Sequence, residues 1–306
     1  MNPPRVAVGP FPSPFAADAV REGGGEVVDL VDRPDSIVWL DPGNVAGLTG
    51  WLAEVPDARW VQLPFAGVER VAEAGLLDDR RIWTCAKGAY AEPVAEHALA
   101  LALAGLRHLP ARVAARSWGE PAGTSLYDQK VAIIGGGGIA TSLLRQLAPF
   151  RVHATVVRRR PDPVPGATRT VATDRLHEAL ADALVVVLAL ALTPETAGII
   201  GAAELDAMAD HAWLVNVARG RHVDTGALVT ALQAGAIGGA ALDVTDPEPL
   251  PDGHPLWGLE NCIVTPHTAD TIEMVLPLLA DRIRTNVRCL AAGEPLTGRV
   301  DVSAGY

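Results

Sequence analysis

The sequence predicts an α/β protein built from two parallel sheets, and three observations support this fold class. Short apolar runs alternate with longer helical patterns along almost the whole chain, a glycine-rich turn follows one of these runs at residue 135, and the chain has 306 residues. Alternating strands and helices form βαβ units, whose strands lie side by side in a parallel sheet. A domain contains roughly 100–200 residues, so the length favours two domains.

The first series of units begins at the N-terminus. Its predicted strands are 5–9, 37–40 and 60–63, and its predicted helices are 15–21, 45–53 and 68–74. A longer helical pattern at 92–116 predicts one continuous helix that leaves the first domain and begins the second. This helix carries more apolar surface than one domain edge can cover, which predicts a homodimer with a two-fold interface. The apolar residues in question include Val94, Leu99, Leu101, Leu103 and Leu106.

The second series starts at residue 130. Its predicted strands are 130–136, 151–157, 184–190, 213–217, 238–244 and 262–265. The last helical pattern, 271–291, has no predicted strand after it, so we expect this helix to return and pack on the first domain. The predicted domains are therefore 1–91 with 271–306, for the first, and 92–270, for the second.

The composition indicates an ordinary globular chain with an acidic surface. Hydrophobic residues make up 49% of the chain and charged residues 20%, and the formal net charge is -11 with a pI of 5.2. Negative charge repels nucleic-acid phosphates and anionic membrane surfaces. We therefore expect neither nucleic acid nor membrane as a partner.

Cysteine usage and the apolar runs predict a cytoplasmic protein without a metal. Cys85, Cys262 and Cys289 lie far apart, with no C-x-x-C pair and no His at zinc spacing, so a disulfide framework and a metal site are both unexpected. The N-terminal segment lacks the apolar region of a secretory signal. The longest apolar run, 183–192, is about half of the roughly 20 residues that span a membrane.

The segment VAIIGGGGIA at 131–140 has the pattern of a dinucleotide-binding turn. Gly135 permits the tight turn after the strand, Gly137 lets the backbone approach a pyrophosphate, and Ala140 replaces the third glycine where helix meets strand. The helix N-terminus then offers free N–H groups to the phosphates. A flexible glycine turn is the alternative, but the position between a strand and a helix favours the cofactor site.

The next predicted strand ends in Arg158, Arg159 and Arg160. Arg158 follows Gly135 by roughly 20 residues, the position at which NAD-binding domains carry an Asp or Glu for the ribose hydroxyls. A guanidinium suits the 2′-phosphate of NADP, which a carboxylate would repel. A solvated basic loop is the alternative, and the coincidence with the ribose-reading position favours NADP(H) over NAD(H).

Three further segments place polar side chains directly after predicted strands. Arg219 follows one strand, Asp243 and Glu248 follow the next, and His267 follows the last. The carboxyl ends of strands in a doubly wound sheet face one crevice, so these side chains should converge there. Each residue alone also fits a surface ion pair, a solvated turn or an ordinary loop histidine. Their combination after a dinucleotide turn favours an active site.

With these segments the chain resembles the D-isomer-specific 2-hydroxyacid dehydrogenases over nearly its whole length. The resemblance implies two Rossmann-like domains: a flavodoxin-like substrate domain, discontinuous because both chain ends form it, and a doubly wound dinucleotide-binding domain. Family members pair through the region that corresponds to 92–116, which agrees with a homodimer. The segments that carry the resemblance are 63–71, 89–103, 131–140, 192–200, 216–228, 241–257 and 263–269.

The resemblance also implies roles for single residues. Arg219 would bind the substrate, and His267 would be the general acid/base, paired with the carboxylate of Glu248. A guanidinium can hold a 2-oxo acid by two parallel hydrogen bonds, and a carboxylate beside an imidazole favours its charged, proton-donating form. The implied substrate contacts are Phe65, Ala66 and Gly67; the predicted cofactor contacts, including the arginines, are Gly135, Gly137, Gly138, Ile139, Arg158, Arg159, Val217, Ala218 and Asp243.

The predicted activity is the NADP(H)-dependent reduction of a small 2-oxo acid to its D-2-hydroxy acid. Segment 37–42 resembles a loop of glyoxylate/hydroxypyruvate reductases, so glyoxylate and hydroxypyruvate are the first expected substrates. Trp39 in that segment would close the substrate pocket, and an ordinary core tryptophan is the alternative. Two other functions stay open: an NAD-dependent dehydrogenase of another 2-hydroxy acid, and a nucleotide-sensing, corepressor-like binding protein.

Overall fold

The computed structural model describes residues 2–305, which form two compact units. Unit 1 contains the chain up to Tyr90 and again from Thr271 onward, and unit 2 contains Ala91–Asp270. Each unit has one parallel sheet with helices. The predicted fold class, α/β with two Rossmann-like domains, is thereby confirmed.

Unit 1 begins with five parallel strands in the order β2-β1-β3-β4-β5, which is the flavodoxin-like order. Three tryptophans, Trp39, Trp60 and Trp83, are almost fully buried around this sheet. Strands β2 and β5 have no counterpart in the prediction, because edge strands of two and three residues are too short for a hydrophobic period. The elements are β1 (Arg5–Gly9), α1 (Pro14–Glu22), β2 (Glu26–Val27), β3 (Ser36–Trp39), α2 (Val45–Glu54), β4 (Trp60–Gln62), α3 (Glu69–Glu73) and β5 (Ile82–Thr84).

Unit 2 contains seven parallel strands in the order β12-β11-β10-β9-β6-β7-β8. The strand order reverses between β6 and β9, as in doubly wound dinucleotide-binding folds. The elements are α4 (Ala91–Leu106), α5 (Leu109–Ala114), β6 (Lys130–Ile134), α6 (Gly138–Leu147), β7 (His153–Val157), β8 (Arg169–Val171), α7 (Leu176–Leu180), β9 (Val185–Leu188), α8 (Ala202–Ala207), β10 (Trp213–Asn216), α9 (Thr225–Ala234), β11 (Gly239–Leu242) and β12 (Cys262–Val264).

The continuous helix predicted over 92–116 is wrong, because α4 ends at Leu106 and α5 begins at Leu109. His108 between them has a φ of 50°, which is left-handed backbone. A continuous helix would need the missing N–H of Pro110 to reach the Leu106 carbonyl, and the proline ring would crowd that turn. The Leu106 carbonyl instead accepts a hydrogen bond from the Thr124 amide at 2.8 Å.

Much of the apolar face of α4 is covered within unit 2, and the homodimer stays a prediction. Val94, Leu101 and Leu106 are buried, and Leu99 and Leu103 are half-buried. The helix packs against α6 and against β10 and β11. What remains uncovered is the segment 107–125, all of whose residues are exposed.

The last helix, α10 (Ile272–Ala292), lies in unit 1 and packs against α1. Arg284 pairs with Glu22 at 2.7 Å, and a Cβ at Gly23 would lie 2.7 Å from the Arg284 carbonyl oxygen, so glycine permits the close approach. Across residues 2–305, no helix combines the length and the apolar character needed to cross a membrane.

Candidate active site

The candidate site lies at the carboxyl ends of β10, β11 and β12, which are neighbours in the sheet. The loop after β10 carries Arg219, the loop after β11 carries Asp243 and Glu248, and the loop after β12 carries His267. The first two loops touch at Gly220, where a Cβ would lie 1.9 Å from the Thr245 carbonyl oxygen. The structure thus brings these four predicted side chains to one edge of the unit 2 sheet.

His267 and Glu248 form a direct pair. The imidazole Nδ1 lies 2.7 Å from the Glu248 Oε1, and both side chains are 43% exposed. An ionised carboxylate only accepts hydrogen bonds, so Nδ1 carries the proton that it donates to Glu248. This arrangement orients the ring and leaves Nε2 as the nitrogen that can exchange a proton with a ligand.

The backbone of His267 is held in an unusual conformation. Its φ is 49°, in the left-handed region that non-glycine residues seldom adopt. Its amide donates to the Asp243 carbonyl at 2.8 Å and to the Thr265 carbonyl at 3.0 Å. Such backbone persists only where surrounding contacts determine it, and it is concentrated at functional sites. The ring direction of His267 therefore depends on its loop.

Asp243 organises that loop through its carboxylate. Oδ1 accepts hydrogen bonds from the Thr265 hydroxyl at 2.6 Å and the Thr268 amide at 2.9 Å, and Oδ2 accepts from the Ala269 amide at 3.1 Å. His97 Nε2 lies 3.2 Å from Oδ1. Burial by itself raises the pKa of Asp243, but these hydrogen bonds outweigh burial and lower the pKa to about 2. Asp243 is therefore ionised at neutral pH.

This placement differs from the cofactor contact predicted for Asp243. Its side chain is 1% exposed, and both carboxylate oxygens are occupied by groups of unit 2. The carboxylate serves the loop that carries His267. A direct contact between Asp243 and a nicotinamide stays a prediction.

The turn after β10 positions Arg219. Asn216 is fully buried, and its side chain accepts a hydrogen bond from the Ala218 amide at 3.0 Å and donates to the Arg219 carbonyl at 2.9 Å. The Arg219 amide donates to the His222 imidazole at 3.2 Å, and Arg219 Nη1 donates to the Ala218 carbonyl at 2.7 Å. Buried polar side chains thus hold this half-buried arginine at the end of the strand.

Asp270 is a site residue that sequence reasoning missed. Its carboxyl is half-buried, and burial raises its pKa; His267 and Arg219 oppose this rise by their charge, and Asp243 adds to it. Asp270 follows His267 closely in the loop after β12. In the sequence, only its closeness to His267 points to Asp270 as a candidate site residue. His97 and Asn216 were also missed, since both lie in strongly apolar segments.

The glycine turn of unit 2 fits a dinucleotide. Gly135 has a φ of 112°, and a Cβ there would lie 2.1 Å from the Ala189 carbonyl oxygen, so the turn requires glycine. A Cβ at Gly137 would meet nothing within 4 Å, which leaves open space in front of the N-terminus of α6. The amides of the first helical turn, which begins with Gly138 and Ile139, have no partner within the helix. The turn therefore offers the space and the donors that a pyrophosphate needs.

Arg158 lies beside this turn. A Cβ at Gly136 would lie 2.9 Å from the Arg158 Cδ and 3.2 Å from its Nε, so the arginine side chain packs on the glycine backbone. Arg159 and Arg160 are exposed, and Arg159 interacts electrostatically with Glu195. The predicted cofactor residues Val217 and Ala218 are buried just after β10. Arg158 thus stands next to the turn, where a 2′-phosphate contact was predicted.

In unit 1, the predicted substrate loop 65–67 lies after β4. Two of its carbonyls accept hydrogen bonds: that of Phe65 from the Ala86 amide at 2.8 Å, and that of Ala66 from the Cys85 thiol at 3.4 Å. Within residues 2–305, the Ala66 and Gly67 amides donate to no acceptor. These amides are available to an anionic ligand.

Trp39 lies in the hydrophobic core of unit 1. It is 2% exposed, belongs to the hydrophobic core of unit 1 and contacts Trp51 edge to face at 5.4 Å between ring centroids. Its indole N–H donates to the Asp41 carbonyl at 2.7 Å. These contacts fit the alternative of a core tryptophan, and a role of Trp39 at the substrate pocket stays a prediction.

Comparisons with known proteins identify relatives of this chain. The D-isomer specific 2-hydroxyacid dehydrogenase family, NAD binding domain, matches residues 97–269. An uncharacterized protein from Corynebacterium melassecola is 41% identical over 299 residues, which is 94% of this chain and 95% of that protein. Glyoxylate/hydroxypyruvate reductase A from Yersinia enterocolitica is 32% identical over 177 residues, or 58% of this chain and 56% of that protein. The second alignment thus spans little more than half of the reductase.

Two solved structures resemble the whole chain. A D-isomer specific 2-hydroxyacid dehydrogenase from Xanthobacter autotrophicus, in complex with NADPH and MES, has a TM-score of 0.86 and 27% identity and covers 100% of both chains. An NADPH-dependent glyoxylate/hydroxypyruvate reductase from Sinorhizobium meliloti, in complex with NADP and sulfate, has a TM-score of 0.79 and 26% identity and covers 99% of this chain and 100% of the other. Since the family matches more than half of the chain, this protein belongs to the D-isomer specific 2-hydroxyacid dehydrogenases.

Proposed function

We propose that this protein reduces small 2-oxo acids to D-2-hydroxy acids with NADPH, and that glyoxylate and hydroxypyruvate are its first substrates. The observation that carries this proposal is the His267–Glu248 pair at 2.7 Å, at the same sheet edge as Arg219. The names of the reductase relatives support the substrate class. The chain would act as a homodimer in the cytoplasm.

In the proposed reaction, Arg219 binds the carboxylate of the 2-oxo acid. A guanidinium forms two parallel charge-assisted hydrogen bonds with a carboxylate, which fixes the neighbouring carbonyl group. Asn216 and His222 hold the backbone of Arg219, and its Nη1 donates to the Ala218 carbonyl at 2.7 Å.

His267 donates a proton to the carbonyl oxygen of the substrate as negative charge develops there. Nδ1 is engaged with Glu248, so Nε2 is the donating atom. Glu248 stabilises the charged imidazolium before the proton is transferred. In the opposite direction the same nitrogen accepts the proton, because a general acid acts as a general base in the reverse reaction.

The cofactor supplies the hydride from its nicotinamide when it is bound. Gly137, Gly138 and Ile139 would hold its pyrophosphate, because the open space over Gly137 adjoins the N-terminus of α6. Arg158 would bind the 2′-phosphate, and Arg159 adds positive charge nearby. The NADPH and NADP in the two similar structures support this preference.

A substrate and cofactor panel tests the proposal. Initial rates are measured with glyoxylate, hydroxypyruvate, pyruvate and larger 2-oxo acids, each with NADPH and NADH at low salt. We expect the highest kcat/KM with NADPH and either glyoxylate or hydroxypyruvate. Where the product is chiral, we expect the D configuration. Absence of turnover with every 2-oxo acid, in a folded protein that binds NADPH, would refute the proposal.

A further inference from the structure

We propose that His97 is a positioning residue for the catalytic loop: its Nε2–H holds Asp243 and Thr265, and through them His267. The inference rests on the proposed function of His267, and it concerns a residue on α4 that takes no direct part in the chemistry. His97 is far from the catalytic histidine in the sequence, and its side chain is only 21% exposed. It lies in a helix whose other inward-facing residues are apolar.

The contacts of His97 form a triangle of polar atoms. Nε2 lies 3.1 Å from the Thr265 Oγ1 and 3.2 Å from the Asp243 Oδ1, and these two oxygens are 2.6 Å apart. Asp243 is ionised and can only accept, so the Thr265 hydroxyl donates its proton to Asp243. Both oxygens then present lone pairs to His97. The network therefore requires a proton on Nε2 of His97.

This donor acts on the atoms that determine the loop. The carboxylate that receives the His97 N–H also receives the Thr268 and Ala269 amides, and the Asp243 carbonyl receives the His267 amide. The loop from residue 265 to 269 is thus attached to Asp243 on both sides of His267. Moving the Asp243 carboxylate would alter the left-handed backbone of His267 and so the direction of its ring.

The position of His97 also links two parts of unit 2. Helix α4 packs along α6, the helix that begins at the glycine turn, and along β10, β11 and β12. His97 hydrogen-bonds α4 to Thr265, in the loop after β12. It therefore ties the catalytic loop to the helix layer that covers the cofactor-binding sheet.

The test compares three single variants with the wild-type protein. His97→Gln keeps an N–H donor at nearly the position of Nε2, His97→Leu keeps similar volume without a donor, and His177→Leu is the control. His177 is in the same unit and pairs with Glu204 at 2.9 Å on an exposed surface, remote from these residues in the sheet order. The measurements are kcat for glyoxylate reduction, the KM for NADPH at saturating glyoxylate, and hydrogen exchange of the Thr268 and Ala269 amides in the protein without ligands.

We expect His97→Leu to lower kcat at least ~10-fold, since small misplacement of a catalytic group is costly, while the KM for NADPH changes less than ~3-fold. The Thr268 and Ala269 amides should exchange at least ~10-fold faster. His97→Gln should recover most of both losses, and His177→Leu should match the wild type.

Three outcomes would overturn the inference. They are unchanged kcat in His97→Leu, equal impairment in the Leu and Gln variants, and unchanged exchange of the two amides. If the wild-type protein reduces no 2-oxo acid, the proposed function fails instead. The exchange of the Thr268 and Ala269 amides then still decides whether His97 positions the loop.

Discussion

Replacing Asp243 by Asn should both destabilise the protein and slow its reaction. The carboxylate is buried, and its hydrogen bonds lower its pKa from 3.8 to about 2. Each pKa unit corresponds to about 1.4 kcal/mol, so the ionised form stabilises the fold by about 2 kcal/mol at neutral pH. In the Asn variant one side-chain atom becomes a donor facing the donors of the loop, which adds the cost of unsatisfied polar groups.

The sign of the pH dependence follows from the lowered pKa. The unfolded chain binds the proton more readily, so the stabilisation is fully present above about pH 4 and is lost as the pH falls towards 2. Urea denaturation followed by circular dichroism from pH 8 to pH 3 should show a constant difference between wild type and variant at neutral pH. This difference should shrink below about pH 4. Asp182→Asn is the matched control, because that carboxylate pairs with Lys130 on an exposed surface and should contribute little.

The kinetic result separates the two roles considered for Asp243. If the carboxylate serves the His267 loop, kcat for 2-oxo acid reduction falls at least ~10-fold while the Kd of NADPH changes little. Equal stability of wild type and variant at pH 7, combined with a large increase in the Kd of NADPH alone, would refute the reasoning. Asp243 would then be a cofactor contact whose hydrogen bonds to the loop contribute nothing measurable.

Four further predictions concern other parts of the molecule. His267→Ala should leave the Kd of NADPH nearly unchanged and lower kcat at least ~100-fold. If the variant retains more than a tenth of wild-type turnover while chemistry is rate-limiting, His267 is not the proton donor. Arg158→Asp should abolish a roughly 10- to 150-fold preference for NADPH, measured as the ratio of kcat/KM with NADPH to kcat/KM with NADH. This range follows because one charge-assisted hydrogen bond contributes about 1.5–3 kcal/mol. Equal kcat/KM of the wild type with both cofactors would contradict the prediction. Asp270→Asn should lower the KM for glyoxylate and remove an increase of that KM with pH. The pKa of Asp270 is raised, so its carboxyl is neutral at low pH and repels an anionic substrate once the pH exceeds that pKa. Parallel profiles of KM against pH in the wild type and the variant would argue against a role near the substrate. Sedimentation equilibrium should show a dimer of the 32.0 kDa chain, and Trp118→Asp should dissociate it. The reason is that the apolar side chains of Leu109, Val113 and Trp118 are exposed in the segment 107–125. A 32.0 kDa wild-type species at micromolar concentration would rule this out.

Local patterns in the sequence were sufficient for the architecture. Strand β6, the turn at Gly135 and helix α6 follow one another within a short stretch of the chain. The sequence predicts each of them from nearby residues alone: a hydrophobic run, a glycine at a tight turn and a helical pattern. The same holds for the ends of β10, β11 and β12, so the sequence predicts Arg219, Glu248 and His267 as candidate site residues. Family membership followed from the combination of these segments.

The prediction failed where one residue changes the geometry of a longer pattern. The hydrophobic periodicity predicts one helix over 92–116, but Pro110 and the left-handed backbone of His108 divide it. The Leu106 carbonyl accepts a hydrogen bond from the Thr124 amide instead. Trp39 was considered for a substrate pocket because of a similar loop. Only packing against Trp51 and the hydrogen bond to Asp41 show that it belongs to the core.

Only the tertiary structure determines how the candidate catalytic residues are supported. His97, Asp243 and Thr265 are separated by many residues in the sequence, and no spacing rule connects a helix to the loops after two strands. The carboxylate of Asp243 holds the loop of His267, because hydrogen bonds to a buried charge are strong; its contact with a nicotinamide stays a prediction. Sequence patterns report which residue types stand at the ends of strands; the hydrogen bonds that orient those residues depend on distances between elements, which only the packed fold determines.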